Sequence, residues 1–411
     1  MITPGEPAGR WRALAVIAIG TLLAFAPWFS ASAVGSILAA EWHTTGLQLP
    51  LLTVAVQLGF AFAALALAVT AVPDVVPGPR LVLAGSVIAA VGNLGFAVLA
   101  SDPVTALPWR FLTGAGIAAV YPVAIKLISG WFRAGRGLAV GVLIGALTVG
   151  SALPHLFRAV GAVGGLDWRL VVVAASVAAL AGGILVATFG RAGPFETAAP
   201  RFSPAVAAAA FREPAVRLAN LGYLGHMWEL YAMWTWVPAF LAASFAAAGD
   251  DDPAPAALAA FTVVAAGGIG CVAAGALADR IGRSTTTIGA MAASGSCAVA
   301  IGFLFGAPPL VVLALAVAWG VTVVADSAQF SAAVSELSPA GTAGSALSVQ
   351  VAMGFILTGV TILGIGLVDP DNAAGWRIAF GSLALGPIVG VVAMWRLRGR
   401  SDAVKMAGGR R

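Results

Sequence analysis

The residues able to do chemistry are few, and they sit inside apolar runs. Between Asn220 and Pro238, Gly222, His226, Glu229, Met233 and Trp236 recur at spacings of three and four, which puts them on one face of a helix. A histidine one turn from a carboxylate has two uses there. The two can satisfy each other by a hydrogen bond or ion pair, or they can line a wet cavity where one exchanges a proton or touches a solute. Thr322, Asp326 and Gln329 repeat the spacing in a second apolar run. Arg110, in Leu107-Pro108-Trp109-Arg110, lies near the end of a third; an arginine in a span costs about 2.5–3.5 kcal/mol on insertion scales unless it snorkels or faces water. Its readings are snorkelling, an anion ligand, or a partner for a membrane carboxylate. Lys126 lies close to Trp131 at a run's end and is expected to snorkel. Lone polar groups such as Ser30, Ser32, Ser36, Gln57 and Gln350 read as helix-packing groups more readily than as ligands.

An enzyme would need more than this. His226 and Glu229 as metal ligands lack a third ligand at helical spacing, the HExxH zinc pattern and any nucleophile–base pair. Cys271 and Cys297 each lie in an apolar stretch and are expected to be structural. The expectation is no catalysis, no cofactor and no metal.

The elements that must position these groups follow from composition. The 411 residues are 60% hydrophobic and 9% charged, with a mean hydropathy of +0.98, whereas soluble domains run about 25% charged. A hydrocarbon core takes about 20 apolar residues per helix, so the length accommodates about 12 spans. Runs this long and uniformly apolar exclude an outer-membrane barrel, whose strands alternate polar and apolar. Breaks in the pattern place spans at roughly 13–40, 47–71, 80–100, 107–130, 137–160 and 168–190, then 216–245, 256–278, 285–305, 308–334, 343–368 and 375–396. The first carries a Pro27 break. Between the sets, residues 191–215 hold Arg191, Glu196, Arg201, Arg212 and Glu213 among Pro194, Pro200, Pro204 and Pro214. The expected fold is therefore all-α and integral to the membrane. Twelve transmembrane helices form two pseudo-symmetric six-helix bundles, 1–190 and 216–411, the second with a basic tail, joined by a linker at 191–215. Arg10 and Arg12 precede an apolar run without a small-residue cleavage site, so this run is expected to be a retained first span.

Charge gives the orientation. With the first residues inside, inside segments carry 17 of the 22 Lys and Arg residues, outside loops carry only Arg158, Arg169 and Arg377, and Arg110 and Lys126 fall in the fourth span. The outside loops collect Glu41, Asp102, Asp167, Asp250, Asp251, Asp252, Asp369 and Asp371 instead. Under the positive-inside rule both termini are cytoplasmic. The net charge of +5 thus reads as a topology signal and not as a nucleic-acid surface.

Between spans 8 and 9 the chain reads Gly275-Ala-Leu-Ala-Asp279-Arg280-Ile-Gly282-Arg283. Gly275 allows close helix approach and Gly282 a tight turn, while Asp279 with Arg280 and Arg283 offers an ion-pair cluster able to clamp two helix ends. A turn with positive-inside anchors is the plainer reading. This segment resembles the cytoplasmic signature of the major facilitator superfamily, and with six-plus-six topology the resemblance covers the whole chain. The family's other copy, between spans 2 and 3, is weakened here: Asp74-Val-Val-Pro77-Gly78-Pro79-Arg80 is longer and lacks the basic residue after the acid. Arg110 followed by Gly114 and Gly116 is similar to a second family signature in span 4. Span 5, Gly141 to His155, resembles the glycine-and-proline helix of the family's exporters but lacks the Gly-Pro step, and the signature of nitrate and nitrite carriers is missing.

The resemblance implies a secondary transporter with a cavity lined by spans 1, 4, 7 and 10, and three of these four carry the membrane ionisable groups. Arg110, Tyr121, His226, Glu229, Met233, Trp236, Asp326 and Gln329 are the expected substrate- and proton-binding residues, and Gly275, Asp279, Arg280, Gly282 and Arg283 the gating loop. The expected protein is a multi-pass monomer of the inner or plasma membrane. It would move a small solute, an organic or inorganic anion, by proton-coupled alternating access. A zwitterion or amphipathic cation also suits the mixed charges, a multidrug or metabolite exporter suits the fold, and a non-transporting receptor is the rival distinguished by flux.

Overall fold

The computed structural model describes residues 7–133, 135–196 and 202–410. Among the described residues, eleven helices are long and apolar enough to cross a membrane: Gln48–Thr70 (span 2), Gly78–Leu99 (3), Pro103–Ser129 (4), Arg136–Val163 (5), Trp168–Phe189 (6), Pro214–Ala247 (7), Pro253–Ile281 (8), Arg283–Leu304 (9), Pro309–Leu337 (10), Ala343–Val368 (11) and Ala373–Arg398 (12). Span 1 is the twelfth crossing. It is divided into Arg10–Ala24, Ser30–Ala33 and Gly35–Glu41, because Pro27 supplies no amide hydrogen to continue the ladder. The expected all-α architecture of two six-helix bundles is the one observed. Of the linker, Pro204–Arg212 forms a short helix, and Arg201 lies outside the described residues.

Three further crossings are interrupted, and the interruptions matter for function. Span 4 breaks between Ala118 and Tyr121, just before Pro122; span 10 breaks between Val323 and Ser327, at Asp326; span 12 breaks at Ala384, ahead of Pro387. Irregular backbone in a membrane survives only where freed carbonyls and amides find partners inside the protein.

Small residues set how closely the halves meet. Spans 5 and 8 approach so tightly that a Cβ on Gly145 would lie 3.0 Å from the Gly268 carbonyl oxygen, and one on Gly141 3.1 Å from that of Cys271. Spans 2 and 11 form the second long contact across the halves, with Gly359 against Val54. Around these seams two cavities and one closed partition remain.

Candidate functional site

An aromatic partition closes the middle of the molecule. Span 1 contributes Phe25 and Trp28 and span 2 Phe60; span 7 adds Tyr231 and Trp234 and span 11 Phe355. Trp28 packs 5.1 Å from Phe60, 5.8 Å from Tyr231 and 5.7 Å from Phe355 between ring centroids, and Phe60 meets Phe355 at 4.4 Å. The space left among them, also bordered by Tyr121, Tyr223, Ser327 and Ser331, is about 40 Å³, room for little more than water. The indole N–H groups of Trp28 and Trp234 are buried there without a protein acceptor.

On either side lies a larger chamber. The one on the face away from the termini is about 410 Å³, bordered by Ser32, Ser36, Thr53, His155, Arg158, Thr235, Trp236 and Asp369. The one on the termini's face is about 360 Å³, bordered by Asp74, Tyr121, Lys126, Ser331, Ser348 and Phe202. Lys126 does not snorkel freely as expected: it is held 2.6 Å from Asp74, donates to the Pro73 carbonyl, and lies 3.8 Å from Glu196.

Of the expected site residues, Tyr121 and Trp236 border these chambers, Trp236 donating to the Ile362 carbonyl at 3.1 Å. Most of the others are turned elsewhere. The polar stripe of span 7 faces into its own bundle: Gly222 lies against Phe330 and Met394, and Met233 is fully buried without bordering any of the three spaces. His226 and Glu229 do not pair with each other. His226 Nδ1 meets Asp326 Oδ1 at 2.9 Å, while the Glu229 carboxylate accepts from Ser294 Oγ at 2.8 Å and from Trp319 Nε1 at 2.7 Å. The physical reason is that the bundle interior brings two donors to the Glu229 carboxylate and a carboxylate to the His226 ring, so each group finds a polar neighbour away from lipid. His226 Nε2 is left without a partner.

Arg110 departs from two of its three readings. It is 0% exposed, so it does not snorkel, and it reaches no carboxylate. Its guanidinium instead donates to the carbonyls of Pro27 (3.1 Å) and Trp28 (2.6 Å), to Ser30 Oγ (3.0 Å) and to Asn93 Oδ1 (2.8 Å). Those carbonyls are freed by the break in span 1. Arg110 therefore caps that break, and Asn93 extends the network to the Val172 carbonyl and Ser176.

The signature loop is also wired differently from the expected cluster. Gly282 holds φ 94° at the turn, a region open to glycine, and Gly275 faces Gly137 of span 5. Arg283 does not pair with Asp279. It makes two hydrogen bonds to Glu336 (2.6 and 2.8 Å) and one to Gln329 Oε1 (2.7 Å), and Gln329 borders none of the three spaces. The Asp279 carboxylate lies against Gly137, where a Cβ would be 2.9 Å from Oδ2, at the positive end of the span 5 helix. Arg280 is exposed, with no hydrogen bond or ion pair among the described residues. The last residues fold under this loop: Arg410 donates to the Asp279 carbonyl and the Ala407 amide to Glu336.

Sequence reasoning missed the partition and the pair His155 and Arg158. The aromatic residues that spans 1, 2, 7 and 11 give the partition were not singled out, and Arg158 counted only as one outside charge. The signal available was that Phe25, Trp28, Tyr231 and Trp234 fall on spans 1 and 7.

The sequence profile of the Major Facilitator Superfamily matches residues 17–362. No curated protein matches the sequence significantly. Among solved structures, a bacterial homologue of the human lysosomal transporter Spinster, inward-facing and unoccupied, superposes with a TM-score of 0.71 at 15% identity, over 96% of this chain and 98% of that one. The xylose transporter XylE from E. coli, partially occluded and inward open, gives 0.73 at 15% identity, over 95% and 99%. XylE, a proton:xylose symporter, bound to 6-bromo-6-deoxy-D-glucose gives 0.71 at 15% identity, over 94% and 95%.

Proposed function

Because the chain belongs to the major facilitator superfamily, a family of secondary transporters, we propose that it moves a small organic anion across the inner or plasma membrane by proton-coupled alternating access. The observation that carries this reading is the pair of chambers, about 410 and 360 Å³, ending on opposite sides of one aromatic partition built by both halves. Rocking one bundle against the other around that partition exposes it to one side at a time. The 191–215 linker joins the two rocking units, 1–190 and 216–411, and the chain works as a monomer with both termini cytoplasmic.

An anion is favoured by the polar groups facing the path. The central space offers donors, the indoles of Trp28 and Trp234 and the hydroxyls of Ser327 and Ser331, and no acid borders it. Lys126 and Asp74 offset each other on the termini's side. The two acids buried within spans, Glu229 and Asp326, border none of the three spaces and are the candidates of which one carries the proton, with His226 beside Asp326. No catalytic step is assigned to them.

The test is uptake into proteoliposomes with an imposed pH gradient, after a thermal-shift screen of the purified protein against a metabolite library. Gradient-driven accumulation of an anionic hit is the expected result. Binding of hits without flux under any gradient makes the protein a receptor on a transporter scaffold and overturns the proposal.

A further inference from the structure

Arg158 and His155 sit one turn apart on span 5 and both border the 410 Å³ chamber. Arg158 has no hydrogen bond or ion pair among the described residues, although Asp369 borders the same chamber. It is neither capping a break, as Arg110 is, nor balanced, as Lys126 is. His155, one turn deeper, is 1% exposed and its Nε2 has no protein partner. A buried polar atom without a partner is disfavoured by about 1–3 kcal/mol, so an unpaired ring nitrogen beside an unpaired guanidinium marks a place built for something that supplies acceptors.

We infer that this chamber holds an anion-capture site in which Arg158 and His155 take the carboxylate of an organic acid whose apolar body lies along Trp236 and Pro238. A guanidinium fork matches the two oxygens of a carboxylate, and His155 with its proton on Nε2 donates to one of them from the deeper side. Hydroxyls of Ser32, Ser36, Thr53 and Thr235 border the same space. Trp236 and Pro238 enter from the other half of the molecule, so an occupant bridges the halves. The volume lies within the range of small-molecule sites. The chain thus has two stations: a charged one that selects carboxylates, and the aromatic partition beyond it.

This inference rests on the transport reading for its role in the path, but the site can be measured without transport. In full-length protein with Cys271→Ser and Cys297→Ser, Ser36→Cys places a thiol on the chamber wall, and its rate of modification by a neutral maleimide reports occupancy. 1-Naphthoate should slow the reaction at concentrations at least tenfold below those needed for 1-naphthamide, its uncharged counterpart. Arg158→Gln should remove that difference, Arg158→Lys should keep part of it, and His155→Gln should reduce it severalfold. Equal protection by the two probes, protection by neither, or an acid preference surviving Arg158→Gln overturns the site. Flux separates the two claims. Transport persisting in a protein that fails the protection assay removes the site alone, and charge-dependent protection in a protein with no flux removes the transport reading alone.

Discussion

At the residue scale, Arg110 and Glu229 are explained by what their atoms touch, and the touching was only half legible beforehand. That Arg110, His226, Glu229 and Asp326 must be protein-facing follows from the cost of exposing them to lipid. Which protein surface they face does not, because a bundle interior and a solute path are equally removed from lipid. Arg110 went to the interior since the Pro27 break frees carbonyls that need donors. Arg110→Met is expected to orphan the Trp28 carbonyl, at about 1–3 kcal/mol, while the Pro27 carbonyl keeps the Ser30 amide and Asn93 Oδ1 keeps Ser30 Oγ, and to lower the melting temperature of the purified protein measurably. Arg110→Lys should fall between, as a point charge cannot reach all four acceptors. Unchanged melting in both would return Arg110 to a solute-binding role. For the acids, Glu229→Gln and Asp326→Asn should be compared in pH-driven uptake and in gradient-free exchange. The residue that carries the proton should lose the first and keep the second. One charge moved through 100 mV is worth about 2.3 kcal/mol, roughly fiftyfold in accumulation, so the loss is large enough to read. Wild-type pH-driven uptake in both variants removes these acids from coupling.

At the element scale, apolar runs located the spans to within a few residues, since twenty apolar residues in a row have few alternatives. The interruptions were harder to see. Pro27 signalled one, but the breaks at Ala119 and Asp326 depend on what the neighbouring helices offer the freed backbone. The glycines of span 5 pack against span 8 across the halves. That seam has to slide if the halves rock. Gly145→Val places branched methyls where a single Cβ already comes within 3.0 Å of the Gly268 carbonyl, tighter than ordinary contact between packed atoms. The expected outcome is normal membrane insertion with uptake slowed at least tenfold. Uptake at the wild-type rate would mean that spans 5 and 8 separate freely and bear no part of the motion.

At the scale of the whole molecule, orientation and gating are linked through the face that carries the termini. The basic bias predicts that this face is cytoplasmic. With Cys271 and Cys297 replaced, Asp251→Cys should be labelled from outside and Arg201→Cys should not, and strong external labelling at 201 would reverse the topology. On the same face the signature loop, recognisable from sequence, turned out to use partners that its own motif does not contain: Glu336 on span 10 for Arg283, and the start of span 5 for Asp279. Local spacing could not name them, because they come from 53 residues downstream in the same half and from the other half. Asp279 against Gly137 is a charged contact between the halves on this face, and a carboxylate at a helix N-terminus is stabilised by about 0.3–1 kcal/mol. The loss of that charge shifts a two-state balance by the same order, about a tenth of a typical folding stability but enough to change which side is open. Asp279→Asn should therefore raise the reactivity of a thiol placed at Ser348, in the chamber on the termini's face, and lower that of one at Ser36 on the far side, with uptake reduced and expression kept. Arg280→Gln, which breaks no contact, should change none of these. If Asp279→Asn leaves both thiol reactivities and uptake at wild-type values, the loop anchors topology and the halves are held by the glycine seam alone.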